Sequence, residues 1–175
     1  TVGARADSYY EYLLKQWLQT NRTEDKYRAA WLGAVAGIKL RLVGRSAGPR
    51  NLTFVGELDR GKLSPKMDEL VCFLGGSLAL GDHYGAGDMG LARELARTCL
   101  AMADTDTGLA PEISHFTQPS DEETPDDITV KAADAHHNLR PETVETLYYL
   151  WKLTGEEHYR DAGWRLFLAW ERECR

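Results

Sequence analysis

Apolar residues recur at three- and four-residue spacing along most of the chain. In the first segment Tyr9/Tyr10, Leu13/Leu14 and Trp17/Leu18 return every four residues and define one helical face. A second face runs through Tyr27, Trp31, Val35, Ile38 and Leu42, and the Gly48-Pro49 break within Ser46–Arg50 ends it. Over 51–66 the period changes. Leu52, Phe54 and Leu58 alternate with polar residues, and Asp59-Arg60-Gly61-Lys62 is a turn signal, so a hairpin is predicted. Helices are predicted over 66–82 and 88–102, the second with Asp88 as its N-cap. Residues 105–140 break the pattern. They hold three of the six prolines and the acidic run Asp121 to Asp127, and only 111–116 and 128–131 suggest extended pieces. A connection of that length inside a domain is commonly functional. A last helix pair, 141–154 and 156–172, is joined at Gly155, with Pro141 suited to a first helical turn. Three helical hairpins in series predict an all-α fold with small β-hairpins, laid out as a helical array or an α/α barrel.

Composition narrows the class. With 43% apolar and 27% charged residues the chain is neither disordered nor collagen-like, and no apolar run of about 18 residues suggests a membrane span. The net charge of -6 is uneven: Lys26 to Lys66 holds nine Lys/Arg against two Asp/Glu. Nucleic-acid binding needs basic residues interleaved with exposed aromatics. The aromatics here fall at core-facing spacing, so no nucleic-acid partner is expected. The three cysteines, Cys72, Cys99 and Cys174, form no CxxC pair and suggest no zinc site. Cys72 and Cys99 lie in apolar stretches, as a disulfide if the compartment is oxidising or as two buried thiols if it is not. Asn21 and Asn51 stand in glycosylation sequons, which have meaning only in a lumenal or secreted chain.

Two clusters place charge at a helix start beside aromatic residues. In Arg5-Ala6-Asp7-Ser8-Tyr9-Tyr10, Asp7 is an N-cap or first-turn residue within reach of Arg5. In Arg140-Pro141-Glu142-Thr143-Val144-Glu145, Glu142 and Glu145 share a helix face, where the helix dipole alone favours acids. Glu112 adds a carboxylate from a semi-extended piece. Carboxylates with aromatic and arginine neighbours suit a glycosidase, in which one acid protonates the leaving oxygen and a carboxylate activates water or attacks. The His136-His137 doublet lacks a third ligand at metal spacing, and no GxSxG, phosphate loop or GxGxxG occurs.

The same residues carry a family resemblance. Gly3-Ala4-Arg5-Ala6-Asp7-Ser8-Tyr9-Tyr10-Glu11-Tyr12-Leu13-Leu14-Lys15 and Leu139-Arg140-Pro141-Glu142-Thr143-Val144-Glu145 resemble two signatures of class I α-1,2-mannosidases, glycoside hydrolase family 47. Phe54-Val55-Gly56-Glu57-Leu58, Lys66-Met67-Asp68, Leu70-Val71-Cys72-Phe73-Leu74 and Gly108-Leu109-Ala110-Pro111-Glu112 follow in matching order. The resemblance covers essentially the whole chain and is strongest toward the endoplasmic reticulum and Golgi members.

That resemblance implies an (α/α)7 barrel, of which residues 1–175 would be a central fragment of the catalytic domain. It implies calcium-dependent, inverting removal of terminal α-1,2-linked mannose from high-mannose N-glycans. Glu142 would be the base that activates water and Asp7 a second catalytic carboxylate. Arg5, Glu69, Glu112, Arg140, Pro141 and Glu145 would contact substrate, and Glu142 and Glu145 would hold calcium only through water. Cys72 and Cys99 would form a disulfide. The enzyme would sit in the endoplasmic reticulum or Golgi lumen, anchored, as a type II membrane protein, by a segment outside this chain. Glu69 departs from the family pattern, which has a sugar-contacting histidine there. The third catalytic acid and the calcium-binding threonine belong to flanking sequence. Two other readings compete: a mannose-binding, lectin-like quality-control protein of the same fold without turnover, and a helical-repeat scaffold.

Overall fold

The computed structural model describes residues 1–120 and 126–174. Helix α1, Asp7–Gln19, buries Leu13, Leu14 and Trp17. Helix α2, Asp25–Arg41, buries Trp31, Val35 and Ile38 and packs against α1. Each buried set is one stripe of the repeat that predicts the helix.

The region after α2 differs from the expected single hairpin. Strand β1, Val43–Arg45, pairs antiparallel with β2, Thr53–Val55, so the residues after the second helix are extended. A separate hairpin joins β3, Glu57–Asp59, to β4, Lys62–Ser64. Its turn residues Arg60 and Gly61 both have positive φ, 49° and 82°. That is the two-residue turn whose twist matches a hairpin.

The helix expected over 66–82 starts later. Lys66–Asp68 is strand β5, Glu69–Cys72 is a 3-10 turn, and helix α3 spans Phe73–His83. Long-range pairing overrides local pattern here. β5 pairs with β6, Ile113–Phe116, which pairs in turn with β7, Ile128–Thr129. The two extended pieces expected in the long connection are β6 and β7. Asp127, just before β7, is fully buried and accepts from the Ser46 hydroxyl and, at 2.9 Å, from the Arg50 N–H. It fastens the connection to the loop after β1. Of the acidic run, Asp121 to Pro125 lie outside the described residues.

Helix α4, Met89–Met102, is capped by Asp88, whose carboxylate accepts the Leu91 N–H at 2.9 Å. Helix α5, Glu142–Thr154, ends at Gly155 with φ 74° and is followed by α6, Glu157–Glu173. Pro141 is the residue before α5, one place outside the first turn. Gly75 and Gly76 let α3 and α5 approach: a Cβ at Gly75 would lie 2.7 Å from Thr146 Cγ2. The Gly76 N–H donates to Thr146 Oγ1 at 2.6 Å, and Thr146 Oγ1 donates to the Cys72 carbonyl. Both cysteines are buried, and a Cys72–Cys99 disulfide joins the start of α3 to α4 with Cα atoms 6.0 Å apart. Asn21 and Asn51 are both exposed. Among the described residues no helix is long and apolar enough to cross a membrane.

Candidate active site

The N-termini of α1 and α5 carry the candidate carboxylates, and packing brings them together. The approach to α1 is a tight turn in which the Gly3 carbonyl accepts the N–H groups of Ala6 and Asp7, both at 3.0 Å. Asp68 at the end of β5 accepts the Ala4 N–H at 3.1 Å. A Cβ on Gly3 would meet Asp68 Oδ2 at 2.5 Å, so a larger residue here would have to displace the carboxylate that accepts the Ala4 N–H. Asp7 is the first helical residue, not the N-cap. Its Oδ1 accepts the Ser8 N–H at 2.8 Å. The Arg5–Asp7 pairing that sequence proximity suggested does not form. Arg5 has φ 75°, is exposed, and its side chain makes no ion pair among the described residues.

Glu142 opens α5. Its Oε2 is buried without a hydrogen-bond partner. Burial pushes its pKa above the ordinary glutamate range. The charges of Glu145 and Asp7 add to that, while its own backbone N–H and the Arg140 guanidinium oppose it. Glu145, one turn along α5, pairs with Lys15 of α1 at 3.2 Å, and Lys15 also pairs with Glu11. Burial raises the Glu145 pKa as well, against the pull of Lys15. The α1–α5 contact is therefore lined by acids with one shared lysine.

Glu69 is the most perturbed group. It begins the 3-10 turn after β5, is 2% exposed, and donates its backbone N–H to the Glu112 carbonyl at 2.9 Å. Its Oε1 accepts the Thr143 hydroxyl at 3.2 Å, and its Oε2 is buried without a partner. Burial first, then the Glu142 charge, raises its pKa to about 8, against the Thr143 hydrogen bond. At neutral pH this side chain is a carboxylic acid with an O–H to donate.

Glu112 and Arg140 form a bidentate pair. Arg140 Nε donates to Oε1 and Oε2 at 3.1 and 2.9 Å, and Nη2 donates to Oε2 at 2.7 Å. The Asn138 N–H adds a bond to Glu112 Oε1 at 3.1 Å. Burial would raise the Glu112 pKa, but Arg140 and Asn138 outweigh it and hold the carboxyl below its usual range. Pro141 is exposed beside the pair, and its carbonyl accepts the Glu145 N–H at 2.9 Å to start α5. Behind Arg140 and Glu69 lies a narrow cavity of about 10 Å³, lined also by Thr143, His137 and Trp170. A groove of about 750 Å³ lies between α4 and α6 near Arg97 and Arg165 and holds none of these glutamates.

Glu69, Glu112, Glu145 and Asp7 are thus linked by charge through Glu142 and Arg140, while Arg5 is exposed and makes no ion pair with them among the described residues. Lys15, Thr143, His137 and Trp170 were missed from sequence. Lys15 had a signal, its four-residue spacing from Glu11. The other three act on partners 27 to 74 residues away, which no local pattern shows. Among the described residues no group of three or more His, Cys, Asp or Glu side chains is arranged to hold a metal directly.

The chain is 50% identical over its whole length to endoplasmic reticulum mannosyl-oligosaccharide 1,2-alpha-mannosidase of Rattus norvegicus, of which it covers 27%. It is 46% identical, over 95% of its length, to mannosyl-oligosaccharide 1,2-alpha-mannosidase of Candida albicans, of which it covers 33%. The chain therefore spans about a quarter to a third of these relatives. The solved alpha-1,2-mannosidase from Trichoderma reesei superposes with a TM-score of 0.83 at 23% identity, covering 99% of this chain and 39% of that one. That likeness supports the expected fold class, an all-α chain with small β-hairpins that forms part of an (α/α)7 barrel. The glycosyl hydrolase family 47 model matches residues 1–175, so the chain belongs to that family.

Proposed function

We propose that this chain supplies Asp7 and Glu142 to a glycosidase that removes terminal α-1,2-linked mannose from high-mannose N-glycans with inversion. The observation that carries this reading is the approach of the α1 and α5 N-termini, where Glu142 feels the charges of Asp7, Glu145 and Arg140, and Arg140 is held by Glu112. Glu142 is the base: its Oε2 has no hydrogen-bond partner to hold it in the charged form, and burial makes it a stronger base than a solvated carboxylate. Asp7 is the second catalytic carboxylate. Arg5, Glu112, Arg140, Pro141 and Glu145 bind the sugar and orient it; Glu69, expected there too, is buried and instead takes the Thr143 hydroxyl at the start of α5.

The donor set fits calcium, a hard cation that takes oxygen ligands. The unpartnered Glu142 Oε2 and the neighbouring Glu145 would hold water molecules of its coordination sphere. When bound, the ion supplies Lewis-acid polarisation of sugar hydroxyls. The buried Cys72–Cys99 disulfide supports an oxidising lumen, endoplasmic reticulum or Golgi, for a parent anchored by a segment outside these residues. In that setting Asn21 and Asn51 are available as glycosylation sites.

The test uses the full-length protein that carries these residues, with calcium and a high-mannose N-glycan. Free mannose should appear first as the β anomer by NMR. Glu142→Gln and Asp7→Asn should each lower kcat by about a hundredfold or more with the fold retained. Glycan binding without turnover by the unsubstituted protein would refute hydrolysis in favour of a lectin.

A further inference from the structure

His137 lies in the loop ahead of α5, and Trp170 lies in the last turn of α6. Trp170 Nε1 donates to His137 Nε2 at 2.9 Å. An indole N–H is only a donor, so Nε2 is the bare acceptor and the ring proton sits on Nδ1. That Nδ1–H donates to the Ala110 carbonyl at 2.8 Å. The imidazole is therefore fixed in one tautomer with both nitrogens occupied.

Its position gives these bonds a purpose. Ala110 leads within two residues to Glu112. His137 leads directly to Asn138, which donates to Glu112, and then to Arg140. The Glu112 N–H is shared between the carbonyls of Asp134 and His136, at 3.1 and 2.9 Å. The two backbone segments that present the bidentate pair are thus tied to each other at Glu112, and His137 ties both to α6. The end of α6 is itself fixed, because Arg172 Nη2 donates to the Thr107 carbonyl at 2.7 Å.

We infer that His137, clasped by Trp170, is a positioning residue that sets where the Glu112–Arg140 pair meets the sugar. This rests on the mannosidase reading above. Neither His137 nor Trp170 touches substrate in this scheme. Both act through Arg140, whose contact is made in the bound ground state as well as in the transition state, so their loss should appear in KM.

The experiment uses the full-length protein and a high-mannose N-glycan. Trp170→Phe removes the N–H and keeps an aromatic ring. His137→Leu removes both bonds, and His137→Gln keeps one donor and one acceptor. Trp170→Phe and His137→Leu should each raise KM about tenfold while kcat stays within about twofold. The double variant should be no worse than His137→Leu, because the two residues act as one unit. His137→Gln should recover most of the loss. If His137→Leu does not fold, Trp170→Phe decides alone. A folded Trp170→Phe protein with unchanged KM, whatever its melting temperature, overturns the inference. A parent protein that does not cleave the glycan, whether or not it binds it, overturns the mannosidase reading, and this inference with it.

Discussion

Replacing Glu69 with glutamine should stabilise the protein progressively as pH rises. The carboxyl is 2% exposed and its folded pKa is about 8, against an ordinary 4.5. The folded chain therefore binds a proton that the unfolded chain releases above about pH 4.5. For an acid with a raised pKa, the cost to folding is absent below the unfolded pKa and grows as pH climbs toward the folded one. At 1.36 kcal/mol per pH unit, that cost is about 3 kcal/mol at pH 7, about 4 at pH 8, and under about 1 at pH 5. Glutamine carries no such cost. Its amide oxygen can still accept the Thr143 hydroxyl, and its NH2 replaces an oxygen that already lacks a partner. Any penalty for leaving that NH2 unpaired, about 1–3 kcal/mol, is the same at every pH. The informative quantity is therefore the change in ΔΔG between pH 5 and pH 7, expected to favour Glu69→Gln by about 2–3 kcal/mol. Urea titrations of both proteins at pH 5, 7 and 8 would measure it. A ΔΔG that stays flat across this range, or moves against glutamine as pH rises, would refute the reasoning.

Two further substitutions probe the frame around the site. The Cys72–Cys99 bond spans 27 residues, so the double serine variant should lose about 3–4 kcal/mol, read as a fall in the urea midpoint that a reductant reproduces in the parent. Asp127→Ala should cost about 2–4 kcal/mol, because it leaves the buried Ser46 hydroxyl and the Arg50 N–H without their acceptor. A change below about 0.5 kcal/mol in the urea midpoint assay would show that the long connection is not anchored there.

Helix faces were legible because each is a local repeat with one side turned to the core. Leu14, Trp17, Trp31 and Ile38 are buried as their spacing requires. Strand partners were harder. Lys66–Asp68 read as the start of a helix because Met67 and the following Leu70-Val71 satisfy a helical period. Its true partner, Ile113–Phe116, lies more than forty residues away. Val43–Arg45 was missed for the same reason, since its alternation spans only three residues. The candidate acids were visible as residue types at helix starts, and their motifs carried the family. The disulfide was open on composition alone, was implied by the family resemblance, and is present in the structure.

By itself, the sequence determined that the chain is mainly helical, roughly where its six helices lie, and that Asp7 and Glu142 stand at helix N-termini. These are properties of neighbours within a turn or two. Tertiary structure alone decided that Asp7 and Glu142 share one field, that Glu69 is buried where its carboxyl holds a proton, and that Glu112 takes Arg140 as a fork. It also decided the tautomer of His137 through a tryptophan 33 residues away. Charge interactions and desolvation depend on distance and on exclusion of water, and both are set only when remote segments pack.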